Sequence, residues 1–182
     1  MKLTSPRLTL LLFLAPVTAG VACAFASADA RMGVVGPDIN QYASAGVGDY
    51  LDHRCGSLDC HGQSTRNLVL WGCDGLRLDP NETGLTPNCR VTGGKPTQPA
   101  EYEASYRSLV GLEPAVMSAV VSNGGANPEM LTFVRKARGW DGHKGGALIT
   151  PGDVQDQCIT SWLAGNADQG ACTQAQDPTK FP

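Results

Sequence analysis

Apolar positions along this chain recur every three or four residues in five segments, and stretches rich in glycine, proline and asparagine separate these segments. Such spacing puts apolar side chains on one face and predicts amphipathic helices. The sequence Thr150-Pro151-Gly152-Asp153 is typical of a helix start with its N-cap at Thr150. The pattern predicts an all-α domain with its core within about residues 41–165. The predicted helices cover residues 41–54, 101–112, 114–121, 127–138 and 151–164.

A long region between the first two predicted helices, residues 62–99, has the composition of a loop. Two apolar islands within it, at 67–71 and 75–78, are candidates for short strands. A loop of this length buries little apolar surface and needs a covalent tie to hold one shape. Cys73 and Cys89 are expected to provide this tie as a disulfide.

Residues 1–28 have the composition of a secretory signal peptide. Lys2 and Arg7 precede a short apolar run, and small residues follow it. The run is too short and too rich in small residues to be typical of a transmembrane anchor. We expect cleavage after Ala26 or Ala28, export to the periplasm or out of the cell, and a mature domain formed by residues 29–182.

The mature chain is acidic. Without Lys2 and Arg7 it carries 12 basic and 17 acidic residues, a net charge of −5. A protein that binds nucleic acid needs a basic surface for the phosphates, so nucleic acid is not expected as a partner. A protein partner with a positively charged docking surface fits this charge better.

The cysteines divide into groups. Cys23 is expected to leave with the signal peptide, because the residues before it match a lipoprotein signal poorly; lipidation at Cys23 would instead attach the protein to a membrane. The other six cysteines are then in an oxidising compartment. Cys158 and Cys172 enclose a short loop that suits a local disulfide. Cys55 and Cys60 remain outside these pairs.

The segment Cys55-Gly56-Ser57-Leu58-Asp59-Cys60-His61 carries the most specific chemistry. Two cysteines followed directly by a histidine attach haem c, because each thiol adds to a haem vinyl group and the imidazole binds the iron. The usual motif is C-x-x-C-H, whereas here four residues separate the cysteines. We predict one covalent haem c with His61 as its proximal ligand.

Three other interpretations remain. Cys55, Cys60, His61 and His143 have the residue types of a zinc site. Six cysteines in three disulfides would make a haem-free, disulfide-stapled secreted binding module. A haem enzyme or gas sensor would keep an open sixth iron position, and peroxidase-like activity falls in this class.

The second axial ligand has two main candidates, because haem iron in electron-transfer proteins takes a further Met or His. His143 lies in a glycine-rich loop before the last predicted helix. Met130 follows Asn127-Pro128, a rigid entry to the preceding helix. We favour His143, with Met130 as the alternative distal ligand.

Together these features resemble the class I cytochrome c fold, and in particular the single-haem domains of secreted bacterial proteins. The haem segment continues into Gly62, a His-x-Gly-Gly loop follows at 143–146, and the last helix contains Trp162-Leu163. The resemblance covers residues 42–165 apart from the predicted disulfide-stapled loop. It implies an electron carrier rather than an enzyme, with His143 near the haem. Its partners would be redox proteins, or the other subunits of a larger electron-transfer assembly.

Overall fold

The computed structural model describes residues 33–81 and 95–177, which lie in one compact unit, Gly33–Pro182. The secondary structure of this part of the chain is helical and contains no strand, so the predicted all-α class is confirmed. At the two apolar islands the only pairing is an isolated bridge between Trp71 and Leu76. The helices are α1 (Ile39–Ser44), α2 (Val47–Cys55), α3 (Pro99–Val110), α4 (Pro114–Ser122), a 3₁₀ helix (Pro128–Met130), α5 (Thr132–Ala137), α6 (Val154–Leu163) and α7 (Gln169–Ala175).

The predicted first helix is divided into α1 and α2 at Gly46. Gly46 has a φ of 84°, a left-handed conformation that glycine adopts without steric cost. The change of direction allows Tyr42 of α1 and Tyr50 of α2 both to be buried in the core. It also makes Cys55 the last residue of α2, so this helix leads directly into the predicted haem segment.

Two other helix boundaries differ from the prediction. The segment 127–138 contains a 3₁₀ helix and α5, because Leu131 between them has an extended backbone with ψ 125°. Helix α6 has Asp153, not Thr150, as its N-cap. The Asp153 carboxylate accepts hydrogen bonds from the backbone N–H groups of Asp156 at 2.7 Å and Thr150 at 2.6 Å, which satisfies two otherwise unpaired donors.

The core is built around Trp162 of α6, which is fully buried. Its ring centroid lies 5.3 Å from that of Tyr42 and 6.2 Å from that of Tyr106, within the range of favourable aromatic pairs. Its Nε1–H donates to the Asp38 carbonyl at 3.0 Å. Helix α6 packs against α2, and α3 packs against both α1 and α2. This packing holds the end of α2, and with it Cys55, against the core.

The structure bears out one predicted disulfide. Cys158 in α6 is bonded to Cys172 in α7, a helix that the apolar pattern did not predict. Cys73 is also disulfide-bonded, and its predicted partner Cys89 lies outside the described residues, as does Cys23. Cys55 and Cys60 are free thiols. Within residues 33–81 and 95–177, no helix is long and apolar enough to cross a membrane.

Replacing Cys158 and Cys172 together by alanine is expected to lower the free energy of unfolding by about 3 kcal/mol, because their disulfide closes a loop of about 15 residues in the unfolded chain. The two cysteines are separated by 14 positions. Guanidinium unfolding of the double variant measures this loss. The control is Thr173→Ala, because Thr173 is an exposed residue of α7, the helix that contains Cys172. Equal unfolding midpoints for the double variant and the wild type would contradict the expectation.

Candidate functional site

The segment after α2 folds back on itself. The His61 N–H donates to the Cys55 carbonyl at 2.9 Å, and the Gly62 N–H donates to the Ser57 carbonyl at 3.0 Å. A Cβ on Gly62 would lie 2.0 Å from the Gly56 carbonyl oxygen, so only glycine allows this approach. The four residues between the cysteines therefore form a closed turn that brings His61 back to the end of α2.

His61 is held by a backbone carbonyl. Its Nδ1 lies 3.0 Å from the Leu68 carbonyl oxygen. A carbonyl only accepts, so Nδ1 carries the proton and Nε2 keeps its lone pair. Burial lowers the pKa of His61 below its ordinary value. The Leu68 hydrogen bond opposes this shift, and nearby His143 and Arg66 add to it. A lowered pKa favours the neutral imidazole, in which Nε2 is available to bind a metal.

His143 is held in the same way from another part of the chain. Its Nδ1 lies 3.2 Å from the Gly146 carbonyl oxygen. The surrounding loop is attached to α5, because Lys136 Nζ donates to the Gly142 carbonyl at 2.8 Å and the Leu148 N–H donates to the Ala137 carbonyl at 2.8 Å. The carbonyl thus engages Nδ1–H, and Nε2 is the ring nitrogen left to bind a metal.

The two imidazoles lie close together. Their ring centroids are 6.1 Å apart, and the ring planes differ by 17°. Two imidazoles bound on opposite sides of one metal ion, each at about 2.0 Å, have centroids about 6 Å apart. The observed centroid separation is therefore of the length that two imidazoles on one metal ion require.

Both histidines line a cavity of about 580 Å³, a volume within the range of about 300–1,000 Å³ that is typical of small-molecule sites. Cys55, at the end of α2, lines it as well. The wall is largely apolar. Its apolar and aromatic residues are Tyr50, Leu51, Leu68, Leu70, Leu109, Leu112, Phe133, Ala137, Leu148 and Ile159.

The other predicted site residues lie differently. Cys60 is exposed, and it is not among the residues that line the cavity. Met130, the alternative distal ligand, is 48% exposed and also lies outside the cavity lining. Burial raises the pKa of the Cys55 thiol to about 12, with a nearby Arg54 acting in the opposite direction. Cys55 is thus a protonated thiol at the cavity wall.

The predicted zinc ligands are not gathered into a metal-binding cluster in the described ranges. There, the one group of three Cys, His, Asp or Glu side chains with close ligand atoms is Asp52, Cys73 and Asp74. Cys73 is in a disulfide, so its sulfur is not the thiolate that zinc binds. The structure therefore offers no support for zinc at the haem segment.

A buried carboxyl group lies beneath this segment, and no pattern in the sequence indicates it. Asp52 of α2 is 3% exposed. Its Oδ2 accepts from the Asp74 N–H at 3.3 Å and from Thr97 Oγ1 at 3.2 Å, whereas Oδ1 has no partner among the described residues. Burial raises the pKa of Asp52 to about 7. Asp74 in turn lies 2.5 Å from His53 Nδ1.

We expect Asp52 to make stability depend on pH. Its pKa rises from 3.8 to about 7 on folding, so the folded protein binds more protons than the unfolded chain between these values. Stability therefore falls as the pH rises from about 4 to about 7. Asp52→Asn removes this dependence. Between pH 4 and pH 8 the variant is expected to lose on the order of 4 kcal/mol less stability than the wild type loses.

Urea unfolding of both proteins at the two pH values measures this difference. The exposed Asp59→Asn serves as the control, because a surface carboxyl group has no burial to relieve. A parallel pH dependence in the wild type and in Asp52→Asn would contradict the assignment.

Comparisons of this chain with protein-family models, with curated proteins and with solved structures give no significant match. The features of this chain that bear on function are therefore the cavity, its two histidines and the adjoining cysteines.

Proposed function

We propose that this protein is an exported single-haem c-type cytochrome that carries electrons. Its haem c is attached through Cys55 and Cys60, with His61 as the proximal iron ligand and His143 as the distal one. Bound there, the haem supplies an iron that changes reversibly between the ferric and ferrous states.

The observation that carries the proposal is the pair of imidazoles of His61 and His143. Their ring centroids lie 6.1 Å apart, and both rings line an apolar cavity. Each has its Nδ1 engaged by a backbone carbonyl, an arrangement that orients metal-binding histidines and leaves Nε2 for the metal. One of the two follows directly after a pair of free cysteines. These features come from separate parts of the chain, and haem c accounts for all of them.

The rest of the chain agrees with this role. The disulfide between Cys158 and Cys172 favours an oxidising compartment, where c-type cytochromes are also assembled. Helix α2 leads into the haem segment and packs against α6, which supports a class I cytochrome c-like arrangement. The acidic chain, with 17 acidic and 14 basic residues in all, suits a redox partner with a basic docking surface.

The test is to produce the full chain in a bacterium with active cytochrome c maturation and to measure the intact mass of the exported protein. We expect one haem per chain, resistant to denaturation and extraction, and a pyridine haemochrome spectrum of the c type. A mass equal to that of the polypeptide alone, with all six mature cysteines in disulfides, would reject the proposal and select the haem-free binding module.

A further inference from the structure

The cavity has an unusual balance of charge for this acidic protein. Its charged lining residues are Arg66, Lys136, Lys144 and Glu113. Glu113 is already engaged at the start of α5, because its carboxylate accepts from the Thr132 N–H at 2.6 Å and from Thr132 Oγ1 at 2.9 Å. Three cations and one carboxylate therefore line the cavity. The carboxylate is already hydrogen-bonded to Thr132.

These three cations also differ from other basic residues in their partners. In the described ranges, Arg77, Arg107, Arg135 and Arg138 each form an ion pair with a carboxylate. No such ion pair involves the three cavity cations there. Arg66 donates to the carbonyls of Cys60 and Asp59, and Lys136 donates to the Gly142 carbonyl. Because these carbonyl acceptors are neutral, they do not balance the positive charges of the two side chains.

The three cations accompany the two imidazoles. Arg66 holds the carbonyl of Cys60, the residue before His61, at 3.1 Å. Lys136 holds the loop that contains His143, and Lys144 is the next residue after it. Each of the two histidines therefore has a positively charged side chain near it on its own part of the chain. Lys136 is half-buried, and Arg66 and Lys144 are exposed, so the three cations lie where an anion at the cavity can reach them. Guanidinium and ammonium groups are the usual partners of carboxylates.

We propose that Arg66, Lys136 and Lys144 form a carboxylate-binding rim that holds the two propionate groups of the haem. This inference rests on the proposed function and extends it by fixing which edge of the haem faces these residues. Two carboxylates supply the anionic charge that the rim lacks. The rim also favours the ferrous state, because reduction adds a negative charge near three positive ones.

The test is a set of charge-removing variants in the haem-loaded protein: Arg66→Gln, Lys136→Gln, Lys144→Gln and the triple variant. Lys136→Arg keeps the charge and controls for the loop contact. Arg107→Gln removes a cation from an exposed ion pair on α3, where the arginine side chain is 74% exposed. The measurements are the midpoint potential, its pH dependence, and the propionate carboxyl bands in the infrared spectrum.

We expect the triple variant to have a lower potential, with the equilibrium shifted about tenfold toward the ferric form, which is about 59 mV for one electron. The propionates should then protonate at a higher pH, and Lys136→Arg and Arg107→Gln should stay near the wild type. A fully haem-loaded, low-spin triple variant with the potential and propionate bands of Arg107→Gln would overturn the rim while leaving the cytochrome intact. A wild-type protein without covalent haem would overturn both proposals, and the intact mass distinguishes this case.

Discussion

Replacing His143 by alanine is expected to convert the ferric protein from a low-spin to a high-spin form that binds added cyanide or imidazole. His143 and His61 both line the cavity, and their ring centroids lie 6.1 Å apart. The loop around His143 does not depend on the imidazole for its attachment, because Lys136 and the backbone of Leu148 tie it to α5. The substitution should therefore open one iron position without unfolding the site.

Absorption and electron paramagnetic resonance spectra measure the change, and added imidazole should restore the low-spin spectrum. Met130→Leu is the matched control, since Met130 is 48% exposed and we expect its removal to leave the spectrum as it was. The reverse outcome, with a low-spin His143→Ala and a high-spin Met130→Leu, would assign the distal position to Met130. A wild type that is high-spin and binds cyanide readily would instead indicate a haem enzyme or sensor.

The second large effect is expected at the two free cysteines. Replacing Cys55 and Cys60 together by serine should abolish covalent haem completely, because no thioether bond can then form. Each single variant should keep one bond, and its pyridine haemochrome band should move to longer wavelength as one vinyl group remains unreacted. Haem staining on denaturing gels and intact mass measure the attachment.

Disulfide cysteines provide the control for this experiment. The variant with Cys158 and Cys172 replaced by alanine loses a cross-link between α6 and α7 and keeps the haem segment, so its haem should remain covalent despite the lower stability. If the double serine variant retained haem that resists extraction, the attachment would be at other residues and the prediction for Cys55 and Cys60 would be wrong.

Features that depend on a few neighbouring residues were predictable from the sequence. The all-α class follows from apolar spacing, and the disulfide between Cys158 and Cys172 follows from a short separation along the chain. Boundaries were less accurate where local signals compete. The first predicted helix is divided at Gly46, whose left-handed conformation goes with the packing of α1 and α2.

The candidate site was predictable in part. Cys55, Cys60 and His61 lie close together in the sequence, so their motif can be noticed without a structure, and the haem attachment that it predicts stays a prediction. The prediction of His143 rests on its glycine-rich loop and on a resemblance, and no local pattern in the sequence indicates that Asp52 is buried. Arg66 and Lys136 had no motif that would connect them with the cavity.

The sequence by itself determined the helical class and one disulfide, and it indicated residues 55–61 as a candidate haem-attachment motif. Only the tertiary structure brought His143 to within 6.1 Å of His61 between ring centroids, formed the apolar cavity around them, and gathered three cations at its wall. The physical reason is the range of the interactions. Helix propensity, caps and turns act over a few residues, whereas the proximity of distant side chains is set by the burial of apolar faces across the whole domain.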